Sequence, residues 1–336
     1  MASEPNRIEL EQLNPQTPAR NEGASIEVEA GNEDTAGKKK RLPGERKDFH
    51  VKLFKTPKEI VLAIAVAARK KTEYTIDKLL IFSIMGGLFL ALGGCFALIV
   101  GQGVPSLHEN NPGLQRFMQG FCFSSVLLFG AVIGGEVYTS NCLFMTVGLL
   151  HRSVRPKEAA INLSVSFIGN FIGCVVGAYC FAYLTDVFAN DPWLTNVKFI
   201  AEFKTKELSL LVIFMRSIPA NLMACMSTFI GIGSEDVISK IGGMFIPIMA
   251  FASLQYEHAI ANMFYVMNGI FYGADTTFWR FLYFNLLPVT IGNAVGGGLI
   301  LGGLTWFLYV YESDRAKQLA LLQAFYNETR RHMRLR

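Results

Sequence analysis

The stretch IGGMFIPIMAFASLQYEHAIANMFYVMNGIF, Ile241 to Phe271, is apolar enough to cross a bilayer, yet Glu257 and His258 stand at its middle. Ionisable groups at membrane depth are costly to hold and face a partner or a water-filled path. The pair therefore marks a candidate path through a membrane.

Working outward, 51% of the 336 residues are hydrophobic and 17% charged, and most of the charge lies outside six apolar blocks. The predicted spans are 79–101, 117–151, 158–187, 208–232, 239–272 and 279–311. Each satisfies the need for about 20 apolar residues per helical crossing. Several show no polar face, and a helix apolar all round needs lipid or complete burial. The composition predicts an all-α membrane protein with six transmembrane helices. It offers no nucleic-acid site, since the net charge of +4 is concentrated in the tail and loops. The six cysteines lie in apolar blocks and read as small packing residues, with no disulfide framework or zinc spacing among them.

Residues 1–55 read as a disordered tail ending near the basic run Lys38 to Arg41. The tail holds no secretory signal, so the first span is expected to direct insertion. Residues 56–78, with Pro57 near the start, read as an amphipathic helix at the membrane interface. The transport domain is then 79–311, and 312–336 form a second tail. Lys and Arg number fifteen before Leu79, three in 151–157, one in 231–240 and six in the last tail, against five in the opposite loops. That bias puts both termini in the cytoplasm.

The second and fifth blocks are too long for simple crossings, and each carries a polar break, GGEVYTSN at 134–141 and QYEHAIAN at 255–262. Broken helices at matching places in two halves point to a transport site. An offset of 123 links Thr139 to Asn262 and the pair Gly169-Asn170 to Gly292-Asn293, each Gly-Asn pair opening a glycine-rich helix. Three spans per repeat is an odd number, so the second copy sits inverted. The helix ends near Ser140 and Ala259 are expected to aim free N–H groups at the centre and favour an anion there. His258, Thr139, Asn221 and Asn262 would lie close by. Histidine's ordinary pKa of about 6.5 suits it to pass a proton to a weak-acid anion. Glu257 orients the histidine or pairs elsewhere, and Arg216 is expected to pair with Glu136 or Glu257. The sequon at Asn162 lies within a span and that at Asn327 in the tail.

In the stretches GGEVYTSNCL, NLSVSFIGNFIG, IPANLMAC, YEHAIANMF and NLLPVTIGNAVGGGL, the chain resembles the formate/nitrite transporter family. The resemblance implies homopentamers of aquaporin-like protomers, with no enzymatic activity and no cofactor or metal. It implies proton-coupled passage of small monocarboxylates (formate, lactate, acetate) or nitrite across the plasma membrane, with membrane lipid around the protein. His258 matches the central histidine, with Thr139 and Asn221 beside it. Phe123, Leu127 and Phe251 match the outer constriction, and Val137 and Tyr138 the inner one. Lys71 matches the cytoplasmic vestibule lysine. The outer counterpart falls on Thr205, where either neighbour, Lys204 or Lys206, supplies the charge. An aquaporin-like channel for small neutral solutes is the alternative, although paired Asn-Pro-Ala helix starts are absent from the sequence.

Overall fold

The computed structural model describes residues 53–125, 129–130 and 133–312. The predicted tails lie almost wholly outside them, as does Leu127. The described structure is helical, in keeping with the predicted class.

Helix α1, Pro57–Thr72, begins with a capping box. Thr56 Oγ1 accepts the Glu59 N–H, and Glu59 Oε2 accepts the Thr56 N–H at 2.7 Å. Ile60, Val61, Ile64, Ala65 and Ala68 form its buried stripe. That stripe packs against Leu143, Met145, Val147 and Val154. The small Ala65 and Ala68 permit this approach: a Cβ added to Gly148 would lie 2.9 Å from Ala68 Cβ.

The chain turns at 73–75 and enters α2, Ile76–Gln102. There follow α3 (Pro112–Phe123), α4 (Tyr138–Leu150), α5 (Pro156–Tyr183), α6 (Trp193–Glu202), α7 (Leu210–Gly233), α8 (Val237–Ser253), α9 (Ala259–Phe271) and α10 (Phe278–Tyr309). Of these, α2, α5, α7 and α10 are long and apolar enough to cross a membrane. They correspond to the first, third, fourth and sixth predicted spans. Within the fifth block, helix runs to Ser253 and again from Ala259; within the second it runs to Phe123, is present at 129–130, and runs again from Tyr138, with 126–128 and 131–132 outside the described residues.

The two helix starts share a backbone path. Gly134 has φ 92° and Gln255 φ 54°, and the caps Val137 and His258 are both extended, at φ −124° and −114°. These pairs are separated by 121 residues, so the counterpart of Asn262 is Asn141, where the sequence offset had paired it with Thr139. The offset of 123 holds at Asn170 and Asn293, because the α9–α10 connection is one residue longer than the α4–α5 one and α10 gains another before Asn285, where it has a π-helical turn at Leu282–Leu286. Those Gly-Asn pairs also lie inside α5 and α10 and do not open a helix.

Gln255 holds a left-handed conformation that glycine provides at the equivalent Gly134. A side chain there costs about 1–2 kcal/mol. Gln255→Gly is expected to raise the thermal unfolding midpoint of the purified protein, and Gln255→Val to lower it.

Close crossings set α5 against α2 and α10 against α7. A Cβ on Gly87 would lie 2.4 Å from the Asn170 carbonyl oxygen, and one on Gly296 would lie 2.0 Å from that of Ile218. Only glycine fits at such contacts. Asn170 and Asn293 are thereby delivered to the two helix starts.

Candidate functional site

A helix start inside a membrane exposes N–H groups that water cannot satisfy. Here each is met by an asparagine from the crossing helix. Asn170 Oδ1 accepts the Tyr138 N–H at 2.8 Å, while its Nδ2 donates to the carbonyls of Ser83 and Glu136, both at 2.7 Å. Asn293 does the same at the other start: Oδ1 accepts the Ala259 N–H at 2.8 Å, and Nδ2 donates to Ser217 at 2.7 Å and Glu257 at 3.1 Å. The expectation of free N–H groups at both starts is thus corrected for the first helical residues. Their donors belong to the scaffold, because an internal amide is the partner that a dry site can supply.

His258 is the cap of α9 and is buried. Its Nδ1 accepts the Ala261 N–H at 3.3 Å, which assigns the proton of the neutral ring to Nε2. The imidazole stacks on Phe251, with ring centroids 5.3 Å apart. Phe251 in turn meets Phe123 edge-on at 5.9 Å. Both phenylalanines line a cavity of about 530 Å³ that also touches Gln102, Lys204, Glu257 and Asn262. Phe251 therefore touches both the cavity and the histidine.

Beside the histidine, Glu257 is the hub of a buried cluster. It accepts from Lys204 Nζ at 2.8 Å, Asn262 Nδ2 at 2.6 Å and Asn285 Nδ2 at 3.3 Å. Asn262 also donates to Asn285 Oδ1 at 2.8 Å, and Asn285 donates to the Lys204 carbonyl at 3.0 Å. A buried charge needs this degree of pairing. The geometry also separates the two lysines. Lys204 belongs to the cluster, whereas Lys206 pairs at the surface with Asp275, whose carboxyl it holds below the usual range through their hydrogen bond.

At the other end, Lys71 reaches both oxygens of Glu136 at 2.5 Å and lies over the Phe144 ring. Tyr138 is buried edge-on against Phe167, with its hydroxyl 3.4 Å from the Thr290 carbonyl oxygen. Val137, the cap of α4, packs against the core. Thr139 is buried, and its carbonyl accepts from Asn221 Nδ2 at 3.0 Å and from Cys225 Sγ at 3.3 Å. Asn221 gives its other N–H to the Asn293 carbonyl at 2.7 Å, so both of its donors hold backbone rather than face a path. The Asn262 amide N–H groups are likewise engaged, with Glu257 and Asn285.

Arg216 pairs with neither glutamate, contrary to expectation, since lysines occupy both carboxylates. Sequence reasoning also passed over Asn141, Asn162 and Asn285 and the clamping role of Asn170 and Asn293. A signal was present: Asn162 precedes Asn170, and Asn285 precedes Asn293, by the same eight residues. Among the described residues no group of three or more His, Cys, Asp or Glu is placed to hold a metal ion.

Residues 58–307 match the family model described as "Formate/nitrite transporter". The chain is 33% identical to the "Probable formate transporter" of Methanothermobacter thermautotrophicus, covering 77% of this chain and 98% of that one. It is also 33% identical to "Formate-nitrite transporter 3" of Toxoplasma gondii, over 71% of this chain and 48% of that longer protein. Among solved structures, a "Pentameric formate channel with formate bound" aligns with a TM-score of 0.61 at 26% identity, covering 70% of this chain and 98% of the channel.

Proposed function

The chain belongs to the formate/nitrite transporter family, and from that premise we propose that it carries formate, lactate, acetate and nitrite across a membrane together with a proton. It is a multi-pass integral membrane protein, and its relatives are named as transporters and channels, not as enzymes. In the proposed arrangement two three-span repeats lie inverted to one another, with α3–α4 and α8–α9 as the broken crossings. Five protomers assemble, as they do in the similar channel, which is named as pentameric. Both termini are cytoplasmic and the plasma membrane is the site of action. Lys71 then faces the cytoplasmic mouth and Lys204 the outer one.

The observation that carries this reading is the sequence of environments along the path. Lys204 borders a cavity whose apolar lining includes Phe123 and Phe251, and His258 stacks on Phe251. An anion is drawn toward the ammonium group and then meets aromatic surface, where a charge without a partner is expensive. The same acid in neutral form meets no such barrier. His258 offers its Nε2–H toward the anion. The neutral ring does not give that proton up alone: a proton from the external water taken at Nδ1, at the expense of the Ala261 N–H bond, makes the imidazolium, which then protonates the anion from Nε2. Loss of the Nδ1 proton and uptake of one at Nε2 restore the cap, so one proton travels with each anion. Thr139 lines the centre, and Val137 and Tyr138 narrow the cytoplasmic side.

The test is uptake of labelled formate, acetate and lactate into proteoliposomes at two external pH values. Uptake is expected to rise severalfold per unit of external acidification at fixed anion concentration. Uptake that tracks membrane voltage and ignores the proton gradient would reject the coupling.

A further inference from the structure

The two ends of the path are built from the same parts, and one of them is only half connected. At the α6 end, Glu257 precedes the cap of α9, Asn262 follows it by five residues, and Asn285 stands eight residues before the clamp Asn293. At the α1 end, Glu136 precedes the cap of α4, Asn141 follows it by five residues, and Asn162 stands eight residues before the clamp Asn170. Each end also has a lysine from the helical segment that precedes its half, Lys204 or Lys71.

The hydrogen bonding differs. Glu257 binds its lysine through one oxygen and both asparagine amides through the other. Glu136 gives both oxygens to Lys71. Asn141 and Asn162 are then fully buried, and neither amide oxygen nor amide nitrogen of either has a hydrogen-bond partner. Four such buried atoms are a heavy penalty, since an orphaned polar group costs about 1–3 kcal/mol. Chance burial is a poor account of them, because their counterparts on the other side are the two amides that grip Glu257.

We propose that Glu136 has two positions: one on Lys71, as seen, and one turned inward onto the Asn141 and Asn162 amides, matching the arrangement around Glu257. With both carboxylate oxygens on it, Lys71 is masked. With the carboxylate drawn inward, its ammonium is available to an anion at the mouth. Asn141 and Asn162 are thus positioning residues that set how much of the Lys71 charge the substrate meets. This inference rests on the transport reading for its effect on substrate, but not for the movement of the carboxylate.

The experiment uses the full chain in inside-out and right-side-out membrane vesicles, with formate as the probe. Glu136→Gln leaves Lys71 unmasked, and its KM for formate presented at the cytoplasmic face is expected to fall by about tenfold, the low end of what a charged cleft confers. Asn141→Leu with Asn162→Leu traps the carboxylate on Lys71 and raises that KM, and adding the leucines to Glu136→Gln changes nothing further. The KM at the outer face stays constant throughout. Infrared difference spectra, wild type minus Glu136→Gln, are expected to show two carboxylate environments in wild type and one in the double-leucine variant. An unchanged cytoplasmic KM in Glu136→Gln overturns the proposal even if the leucine variants fail to assemble, and so does a leucine effect that persists without the carboxylate. A wild type that carries no monocarboxylate rejects the transport reading, while the infrared bands still decide the movement: a single environment in wild type overturns it.

Discussion

His258→Asn is expected to assemble normally and to lose proton-coupled uptake by at least about tenfold, within the range that one positioned acid–base group supplies. Asparagine is among the best helix caps, so its Oδ1 keeps a partner for the α9 N–H groups that His258 Nδ1 now serves. It also retains donors toward the path. What it lacks is a ring nitrogen that can take up and give back a proton. A relay must therefore fail in this variant, whereas a histidine that only lines the path through hydrogen bonding would be replaced without loss. The measurement is formate uptake against external pH in proteoliposomes, with assembly checked by size-exclusion chromatography in detergent. Wild-type rates with wild-type pH dependence would remove the histidine from the mechanism and leave the lysines and the aromatic wall to account for transport.

The largest effect on stability is expected at Asn293. Leucine there has the same branched outline, with bulkier ends, and withdraws three buried hydrogen bonds at once, from Ser217, Glu257 and Ala259. Each group left without a partner costs about 1–3 kcal/mol. Three together rival the net stability of a whole domain, about 5–15 kcal/mol. Asn293→Leu should fail to accumulate as folded protein, and Asn170→Leu should behave alike, since it serves the other helix start in the same way. Recovery of folded protein and its unfolding midpoint provide the check. Near-normal yield of either variant would mean that the helix starts hold without their clamps. Asn221→Leu removes two bonds to backbone carbonyls and is expected to fall between these variants and wild type.

The chain's amino acids by themselves determined the class and the outline. Apolar blocks of sufficient length, interrupted at GGEVYTSN and QYEHAIAN, specify helices whose ends fall close to those observed, because block length and polar interruption are local properties. His258 beside Glu257 was legible for the same reason: a titratable pair in an apolar run stands out without any knowledge of neighbours. Tertiary structure decided who partners whom. That Lys204 and not Lys206 meets Glu257, that Lys71 and not Arg216 meets Glu136, and that Asn221 holds backbone all depend on helices distant in sequence. So do the Asn170 and Asn293 clamps, which glycines help to place by seating α5 closely on α2 and α10 on α7, so that an amide reaches each helix-start N–H. Even the register of the two halves shifted by two residues at the helix starts, since one extra residue lies in the α9–α10 connection and another within the first turns of α10, neither of which periodicity sees. A hydrogen bond needs its partners within about 3 Å, and in a membrane the partner is another crossing helix, which only the folded chain brings near.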